Sequence, residues 1–538
     1  MKKPLKHLII FTSLFFAFSS ALTHAQYSDY RTMSQKVISL GKEYPSICSV
    51  KTLVKTDGGK DIQSITIGTG DKDSKPAIAV LGGVEGSYVL GPELAFGFAS
   101  SLLHAAGNPG TKELLDKVTF YILPNVSPDA TEQFFAGLRY ERNINEKSTD
   151  NDRDFLTGED PYEDLNHDGL ITQIRVKDPE GSWVISKQDN RVMVPADLSK
   201  GETGDYKVFS EGIDNDHDGK FNEDGEGGVD FNRNFTYAYE QYGLNAGLYP
   251  VSEPEVKAVA DFLYDRFNVY AVFAFGPQDN LGHPFKASDN SRSGRRITSI
   301  LKSDEVINRL VSEKYHEITG AKGAPPAIMG QGDFMDWAYY HYGRYSFSTP
   351  GWWFPAGKGE TLEAAFLKYA GSHNMNDVFV PWTVTDHPDF PEEKVEVGGI
   401  KPFAMINPPA DTVPVLVEKT FRFIKAVAAM HPELEFLNTK IEDAGENIFR
   451  ISLDVHNKGI FATCAEVGDR NIWTRIMRIS IETGKGQVLL SGDRVARIER
   501  LEGDRSASYS WLVSGKGQVK ITAGALNTGT IISDIDLK

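Results

Sequence analysis

Apolar residues follow two alternating periods along the first 430 positions. Residues 77–81 and 269–275 are continuously apolar over the length of a strand, which is typical of strands buried on both faces. Residues 92–104 and 251–267 instead have the three- and four-residue spacing of helices. Strands that alternate with helices predict an α/β fold, a mixed sheet with helices on both faces, over residues 26–430.

The pattern changes after residue 432. Short alternating segments, such as residues 449–455 and 476–481, are separated by turns rich in Gly, Asn and Asp. This spacing predicts a small C-terminal β-sandwich of about seven strands over residues 432–538. The sequence shows no cluster of metal-ligating residues in that region.

The first 25 residues have a different character from the rest. Three lysines precede an apolar run at residues 8–22, and Ala25 stands at a small-residue cleavage position. A membrane anchor is the alternative, but the run is short for a spanning helix. We therefore expect residues 1–25 to be a signal peptide, and the mature protein to be secreted, periplasmic or at the cell surface, with no membrane span.

The net charge and the cysteine content limit the classes of partner and the expected state of the thiols. The net charge is −17, and loss of the signal peptide, which holds three lysines and no acidic residue, makes it more negative. Nucleic acid is therefore not expected as a partner, because phosphate binding needs a basic face. The negative net charge fits an exported protein that binds divalent cations. Cys48 and Cys464 could pair outside the cell, but two buried free thiols are the favoured interpretation.

A candidate carboxylate clamp lies at Asn232 and Arg233, within the sequence GVDFNRNF at residues 228–235. A guanidinium can give a carboxylate two parallel hydrogen bonds, and the neighbouring amide adds another donor. A surface turn is the plain alternative for such a pair. Together with SEPE at residues 252–255, however, this segment resembles the zinc carboxypeptidases of the A/B type, in which the pair binds the substrate's terminal carboxylate.

Other segments resemble the same family in the same order along the chain. They are the turn after the apolar run at 77–81, the segment LPNVSPDA at 123–130, and GDFMDWAY at 332–339. The resemblance covers roughly residues 28–430 and implies the family's α/β fold. It also implies an additional substrate arginine, for which Arg142 and Arg153 are candidates.

The residues that should bind zinc differ from the family pattern. The resemblance places the three zinc ligands at Glu85, Tyr88 and Phe275, and the general base at Pro350. Catalytic zinc needs three protein ligands and an open position for water. Phe275 offers no donor atom, the Tyr88 phenol is a reluctant ligand, and Pro350 has no proton acceptor. The family thus implies zinc, but the sequence predicts that the zinc site and the catalytic base are missing.

The acidic insertion at residues 139–226 contains two loops that read D-x-[DN]-x-D-G, at 164–169 and 214–219. Alternating oxygen ligands, with Gly at the sixth place, are the arrangement of calcium loops, although neither loop has Glu at the twelfth place. An acidic surface turn is the alternative. The candidate calcium ligands are Asp164, Asn166 and Asp168 in the first loop, and Asp214, Asp216, Asp218 and Asp224 in the second.

The sequence therefore favours an exported, catalytically inactive member of this family. It would bind a peptide or peptidoglycan-like ligand with a free carboxylate through Asn232 and Arg233. One alternative is an active metallocarboxypeptidase with an atypical metal site. The other is a calcium-stabilised structural or adhesion protein.

Overall fold

The computed structural model describes residues 26–149, 158, 160–215, 217, 219–222, 227–288, 292–293, 296–328, 330–469 and 471–538. Its α-helices are α1 (Tyr30–Glu43), α2 (Leu90–His104), α3 (Pro109–Lys117), α4 (Pro128–Thr131), α5 (Pro254–Tyr264), α6 (Lys302–Thr319), α7 (Phe334–Tyr340), α8 (Leu362–Ser372) and α9 (Val413–Ala428).

The β-strands are β1 (Cys48–Lys55), β2 (Asp61–Ile67), β3 (Ala77–Leu81), β4 (Thr119–Leu123), β5 (Gln173–Lys177), β6 (Trp183–Ile185), β7 (Met193–Pro195), β8 (Tyr206–Ser210), β9 (Val269–Phe275), β10 (Arg292–Ser293), β11 (Arg296–Ile297), β12 (Tyr345–Thr349), β13 (Phe379–Thr385), β14 (Val395–Ile400), β15 (Leu434–Asp443), β16 (Ile448–Asn457), β17 (Arg478–Thr483), β18 (Val488–Ser491), β19 (Val495–Arg497), β20 (Arg505–Ser514), β21 (Gly517–Ala525) and β22 (Gly529–Leu537).

A mixed six-stranded sheet in the order β1-β2-β4-β3-β9-β12 forms the centre of the first region. Strands β4, β3, β9 and β12 run parallel to one another, and β1 and β2 are antiparallel to their neighbours. The parallel strands are buried along their whole length, as their continuous apolar sequences predict. Residues of α2, α6 and α9 pack on one face, and residues of α5 and α7 on the other, which confirms the predicted fold class.

A second sheet, in the order β13-β14-β5-β8-β6-β7, is antiparallel throughout. Four of its strands come from the insertion at residues 139–226, in which the sequence pattern predicted no strands. Its core is small and centres on Ile174, Val176, Val395 and Val397. Because most residues of β6 and β8 are only half-buried, their alternation is weak and the strands were missed.

The C-terminal region forms two four-stranded antiparallel sheets, in the orders β15-β16-β20-β18 and β19-β17-β21-β22. Their apolar faces share one core, so the region is a β-sandwich of eight strands, where the sequence predicted about seven. Cys48 is buried and Cys464 is half-buried, and both are free thiols. None of the described helices has the length and apolar content needed to cross a membrane.

Candidate functional site

A cavity of about 630 Å³ lies where the loops after β3 and β9 meet a short 3₁₀ turn at Phe231–Arg233. Loops that follow parallel strands gather at the carboxyl edge of the sheet, which is the usual position of a binding site in this class of fold. The lining includes Glu85 after β3, Gln278 after β9, and Asn232 and Arg233 from the turn. We call it the Arg233 cavity.

Asn232 is at the centre of the hydrogen bonds around this cavity. It is 3% exposed, and its Oδ1 accepts a hydrogen bond from the backbone N–H of Phe334 at 3.1 Å. Its Nδ2 donates to Glu85 Oε2 at 2.9 Å and to Gln278 Oε1 at 2.9 Å. Asn232 therefore has its amide donors already engaged within the protein and joins the loops after β3 and β9.

Arg233 is more accessible than its neighbour. About a third of its side chain is exposed, and its Nη2 lies 3.4 Å from Oε2 of Glu240, which is itself more exposed. Arg142 also lines the cavity, but it is buried and donates to the backbone carbonyls of Ile144 at 3.1 Å and Asn145 at 2.8 Å. Arg142 thus contacts its own loop as well as the cavity, and its role as the additional substrate arginine stays a prediction. Arg153 lies outside the described residues.

Two carboxyl groups, those of Glu85 and Asp230, lie beside the clamp residues. Burial raises the pKa of Glu85 to about 7, although the Asn232 hydrogen bond and the Arg233 charge oppose the rise. Burial also raises the pKa of Asp230 well above its ordinary value, and the nearby charge of Glu85 adds to this. The site therefore holds acidic groups in an environment that disfavours two adjacent negative charges.

The residues at the three expected zinc positions do not line one common cavity in the structure. Glu85 and Tyr88 line the Arg233 cavity, and burial raises the pKa of Tyr88, which keeps its phenol neutral. Phe275 instead packs in the core and lines a separate cavity of about 280 Å³, together with Tyr315 and Phe423. One carboxylate cannot replace the three ligands that catalytic zinc requires. Within the described part of the chain, no group of three or more His, Cys, Asp or Glu residues could hold a metal ion.

Pro350, at the position of the general base, directly follows β12. It has neither a proton acceptor nor a backbone N–H. Its side chain therefore offers no route to acid–base catalysis.

The first candidate calcium loop is held by its own hydrogen bonds. The Asp164 carboxylate accepts the backbone N–H groups of Asp168 at 3.2 Å and Gly169 at 2.7 Å, and Asn166 Oδ1 accepts that of Asp168 at 2.9 Å. In the second loop, Asp214 Oδ2 accepts the N–H of Gly219 at 3.0 Å. Asp216, Asp218 and Asp224 lie outside the described residues, and calcium binding stays a prediction.

Sequence reasoning missed Gln278 and Asp230. Gln278 joins the site through its hydrogen bond with Asn232, and Asp230 Oδ1 accepts the backbone N–H of Asn232 at 2.7 Å. Polar residues directly after the apolar run at 269–275 were the available signal for Gln278. Asp230 lay in the quoted motif, but its contribution depends on the 3₁₀ turn that it caps.

Two family models match the chain. The model described as zinc carboxypeptidase matches residues 33–186, and a domain of unknown function (DUF8731) matches residues 433–535. Mouse carboxypeptidase D is 29% identical over 119 residues, which are 21% of this chain and 9% of that protein. Carboxypeptidase B of Astacus astacus is 26% identical over 117 residues, or 22% of this chain and 37% of that protein. The chain therefore spans well under half the length of these relatives.

Solved carboxypeptidase structures are similar over a longer stretch. Bovine thrombin-activatable fibrinolysis inhibitor, in complex with tick carboxypeptidase inhibitor, is 15% identical with a TM-score of 0.41, over 75% of this chain and 97% of that chain. Carboxypeptidase A from Helicoverpa armigera has the same identity and TM-score, over 75% of this chain and 74% of that chain. The match to the zinc carboxypeptidase model confirms the resemblance over residues 33–186, and this match ends before Asn232, Phe275 and Pro350.

Proposed function

We propose that this chain, which belongs to the zinc carboxypeptidase family, binds a peptide-like ligand by its free carboxylate and does not hydrolyse it. The observation that carries the proposal is the position of Arg233. Its guanidinium lines a cavity of about 630 Å³, is partly exposed, and has only a long 3.4 Å contact to Glu240 among the described residues.

A ligand carboxylate can take the place of Glu240 at modest cost. The Glu240 side chain is exposed, and an exposed ion pair contributes only about 0–1 kcal/mol. A carboxylate bound inside the cavity can accept two parallel hydrogen bonds from the guanidinium. Asn232 contributes a further donor when its hydrogen bond to Glu85 is given up, so Arg233 is the primary contact and Asn232 the secondary one.

The absence of hydrolysis follows from the donor set. Glu85, Tyr88 and Phe275 do not fit zinc, and Pro350 cannot act as a general base. The ligand class is a peptide or a peptidoglycan-like chain end with a free carboxylate. Export by residues 1–25 would bring the protein to the periplasm, the cell surface or the medium, where such ligands occur.

Calorimetric titration with matched peptides tests the proposal. Peptides with a free C-terminal carboxylate are expected to bind, and the corresponding C-terminal amides to bind much more weakly. Arg233→Ala should weaken binding of the acid by about 2–4 kcal/mol, because it removes a charge-assisted pair of hydrogen bonds. Arg450→Ala, in the β-sandwich strand β16, is the matched control and should leave the affinity unchanged. Equal affinity for acid and amide would overturn the proposal.

A further inference from the structure

Within the part of the chain that the structure describes, three acidic side chains line the Arg233 cavity. Glu141 accepts the backbone N–H of Phe403 at 2.9 Å, and the other two, Glu85 and Asp230, lie beside the clamp. Asp230 is 6% exposed, and its Oδ1 accepts the Asn232 backbone N–H at 2.7 Å. Glu85 is half-buried, and its Oε2 accepts the Asn232 side-chain amide at 2.9 Å. No described residue donates a hydrogen bond to Asp230 Oδ2 or Glu85 Oε1, and both residues line the cavity.

Among the described residues that line the cavity, no basic side chain forms an ion pair with Glu85 or Asp230. Among its described lining residues, only Arg142 and Arg233 are basic, and Arg142 donates to backbone carbonyls. Arg233 makes its ion-pair contact with Glu240. The Arg233 charge is still close enough to lower the pKa values of Glu85 and Asp230, which burial raises more strongly. The cavity thus places the Arg233 guanidinium beside the carboxyl groups of Glu85 and Asp230.

We infer that Glu85 and Asp230 bind the ammonium group of a zwitterionic ligand whose carboxylate is bound by Arg233, so that the ligand is a free α-amino acid or a very short peptide. This inference rests on the proposed function and names its ligand class. An ammonium group has three donors, which suit the open oxygens of two carboxylates. Burying it between them also offsets the cost of placing two acidic groups together in a poorly solvated site.

The local chain geometry suits groups that are as close together as those of an amino acid. Asp230 and Arg233 belong to a single 3₁₀ turn, in which Asp230 is the N-cap and Arg233 the last residue. Asn232 lies between them and contacts both acids, through its backbone N–H and its side-chain amide. An α-amino acid carries its ammonium and carboxylate on one carbon, so it can present both charges to residues of one turn.

The other residues that line the cavity determine the choice of test ligand. Tyr88, Leu244 and Ile406 also line the cavity and provide apolar surface for a side chain. L-phenylalanine is therefore the first ligand to titrate. N-acetyl-L-phenylalanine lacks the ammonium, L-phenylalaninamide lacks the carboxylate, and L-alanyl-L-phenylalanine moves the ammonium one residue away.

The expected result is a loss of about tenfold or more in affinity when phenylalanine is acetylated, because a buried charge pair is lost. Glu85→Gln should weaken binding of phenylalanine by a similar factor but should not weaken binding of the acetylated compound. If circular dichroism shows that the Glu85→Gln variant is unfolded, Asp230→Asn is used instead. It keeps an oxygen that can accept the Asn232 backbone N–H. Both variants should reduce the ratio of the affinity for L-phenylalanine to the affinity for N-acetyl-L-phenylalanine.

The outcomes separate this inference from the proposed function. Equal affinity for phenylalanine and its acetylated form would overturn the ammonium site but leave the carboxylate site intact. Equal affinity for phenylalanine and its amide, with acetylation still harmful, would support the ammonium site and overturn the Arg233 clamp. Tighter binding of alanyl-phenylalanine than phenylalanine would support the ammonium site and identify a dipeptide as the ligand. Failure of all four compounds to bind would overturn both.

Discussion

Asn232 Nδ2 donates a hydrogen bond to Glu85 Oε2 at 2.9 Å, which joins the expected carboxylate clamp to the first of the expected zinc positions. In a zinc site a carboxylate at that position would bind the metal, whereas here one of its oxygens accepts the clamp amide. The Glu85 carboxylate accepts a hydrogen bond from the Asn232 amide that a ligand carboxylate would otherwise accept. The first expected zinc position and the clamp thus belong to one hydrogen-bonded network.

Removal of the Glu85 side chain tests this network. Glu85→Ala frees the Asn232 amide and removes an acidic group near Arg233, so the affinity for an N-acetylated ligand with a free carboxylate should rise about threefold or more. Calorimetry with N-acetyl-L-phenylalanine measures the change. An unchanged or lower affinity, in a variant with an unchanged circular dichroism spectrum, would show that Glu85 does not compete with the ligand.

The insertion sheet should depend on one ion pair. Arg175 Nε lies 2.9 Å from Glu396 Oε2, both side chains are nearly buried, and the guanidinium is 4.4 Å from the Trp382 ring centroid. Arg175→Ala should lower the free energy of unfolding by about 2–4 kcal/mol, because it leaves a buried carboxylate with one partner fewer and removes packing. Urea denaturation measures this.

Lys394→Ala is a control for that experiment on the same carboxylate. Lys394 Nζ lies 2.9 Å from Glu396 Oε1, but the lysine side chain is more than half exposed. Its loss should change the free energy of unfolding by less than about 1 kcal/mol. Similar effects of the two substitutions would contradict the importance assigned to burial of Arg175.

Stability should decrease as the pH rises, in part because of Glu255. This residue is 1% exposed, Asn145 Nδ2 donates to its Oε1 at 2.7 Å, and burial raises its pKa to about 7. The folded state therefore retains a proton that the unfolded chain has lost above about pH 4.5. Its contribution to stability is present at low pH and is lost as the pH rises through about 7, by up to about 3 kcal/mol.

Glu255→Gln removes this titration. Its free energy of unfolding, measured by urea denaturation between pH 5 and pH 8, should fall less steeply than that of the native chain. The exposed Glu418, replaced by Gln, is the control and should follow the native profile. A parallel profile for Glu255→Gln would show that Glu255 is not protonated in the folded state.

Calcium should stabilise the insertion if the two acidic loops bind it. The melting temperature should rise on addition of calcium and return when a chelator is added, because a ligand that binds only the folded state stabilises it. Asp164→Ala should remove the part of the rise that belongs to the first loop, and Asp214→Ala the part that belongs to the second. If calcium does not change the melting temperature of the native chain, the two loops are acidic surface turns and not calcium sites.

The sequence predicted the central sheet well and the site only in part. The strands at 77–81 and 269–275 were evident because burial on both faces leaves a continuous apolar run. Asn232 and Arg233 were evident from the motif. The hydrogen bond between Asn232 and Glu85 joins residues 147 positions apart, and the participation of Asp230 depends on a 3₁₀ turn. Neither follows from local spacing.

The measurement that tests the central claim most directly is the metal content of the purified mature protein, by elemental analysis after incubation with zinc and desalting. A protein that binds its ligand through Arg233 without hydrolysis should retain far less than one zinc per chain, because Glu85 alone is a suitable ligand among the three expected positions. Nearly stoichiometric zinc would contradict this. It would mean that other residues complete a metal site, and it would favour the alternative of an active metallocarboxypeptidase.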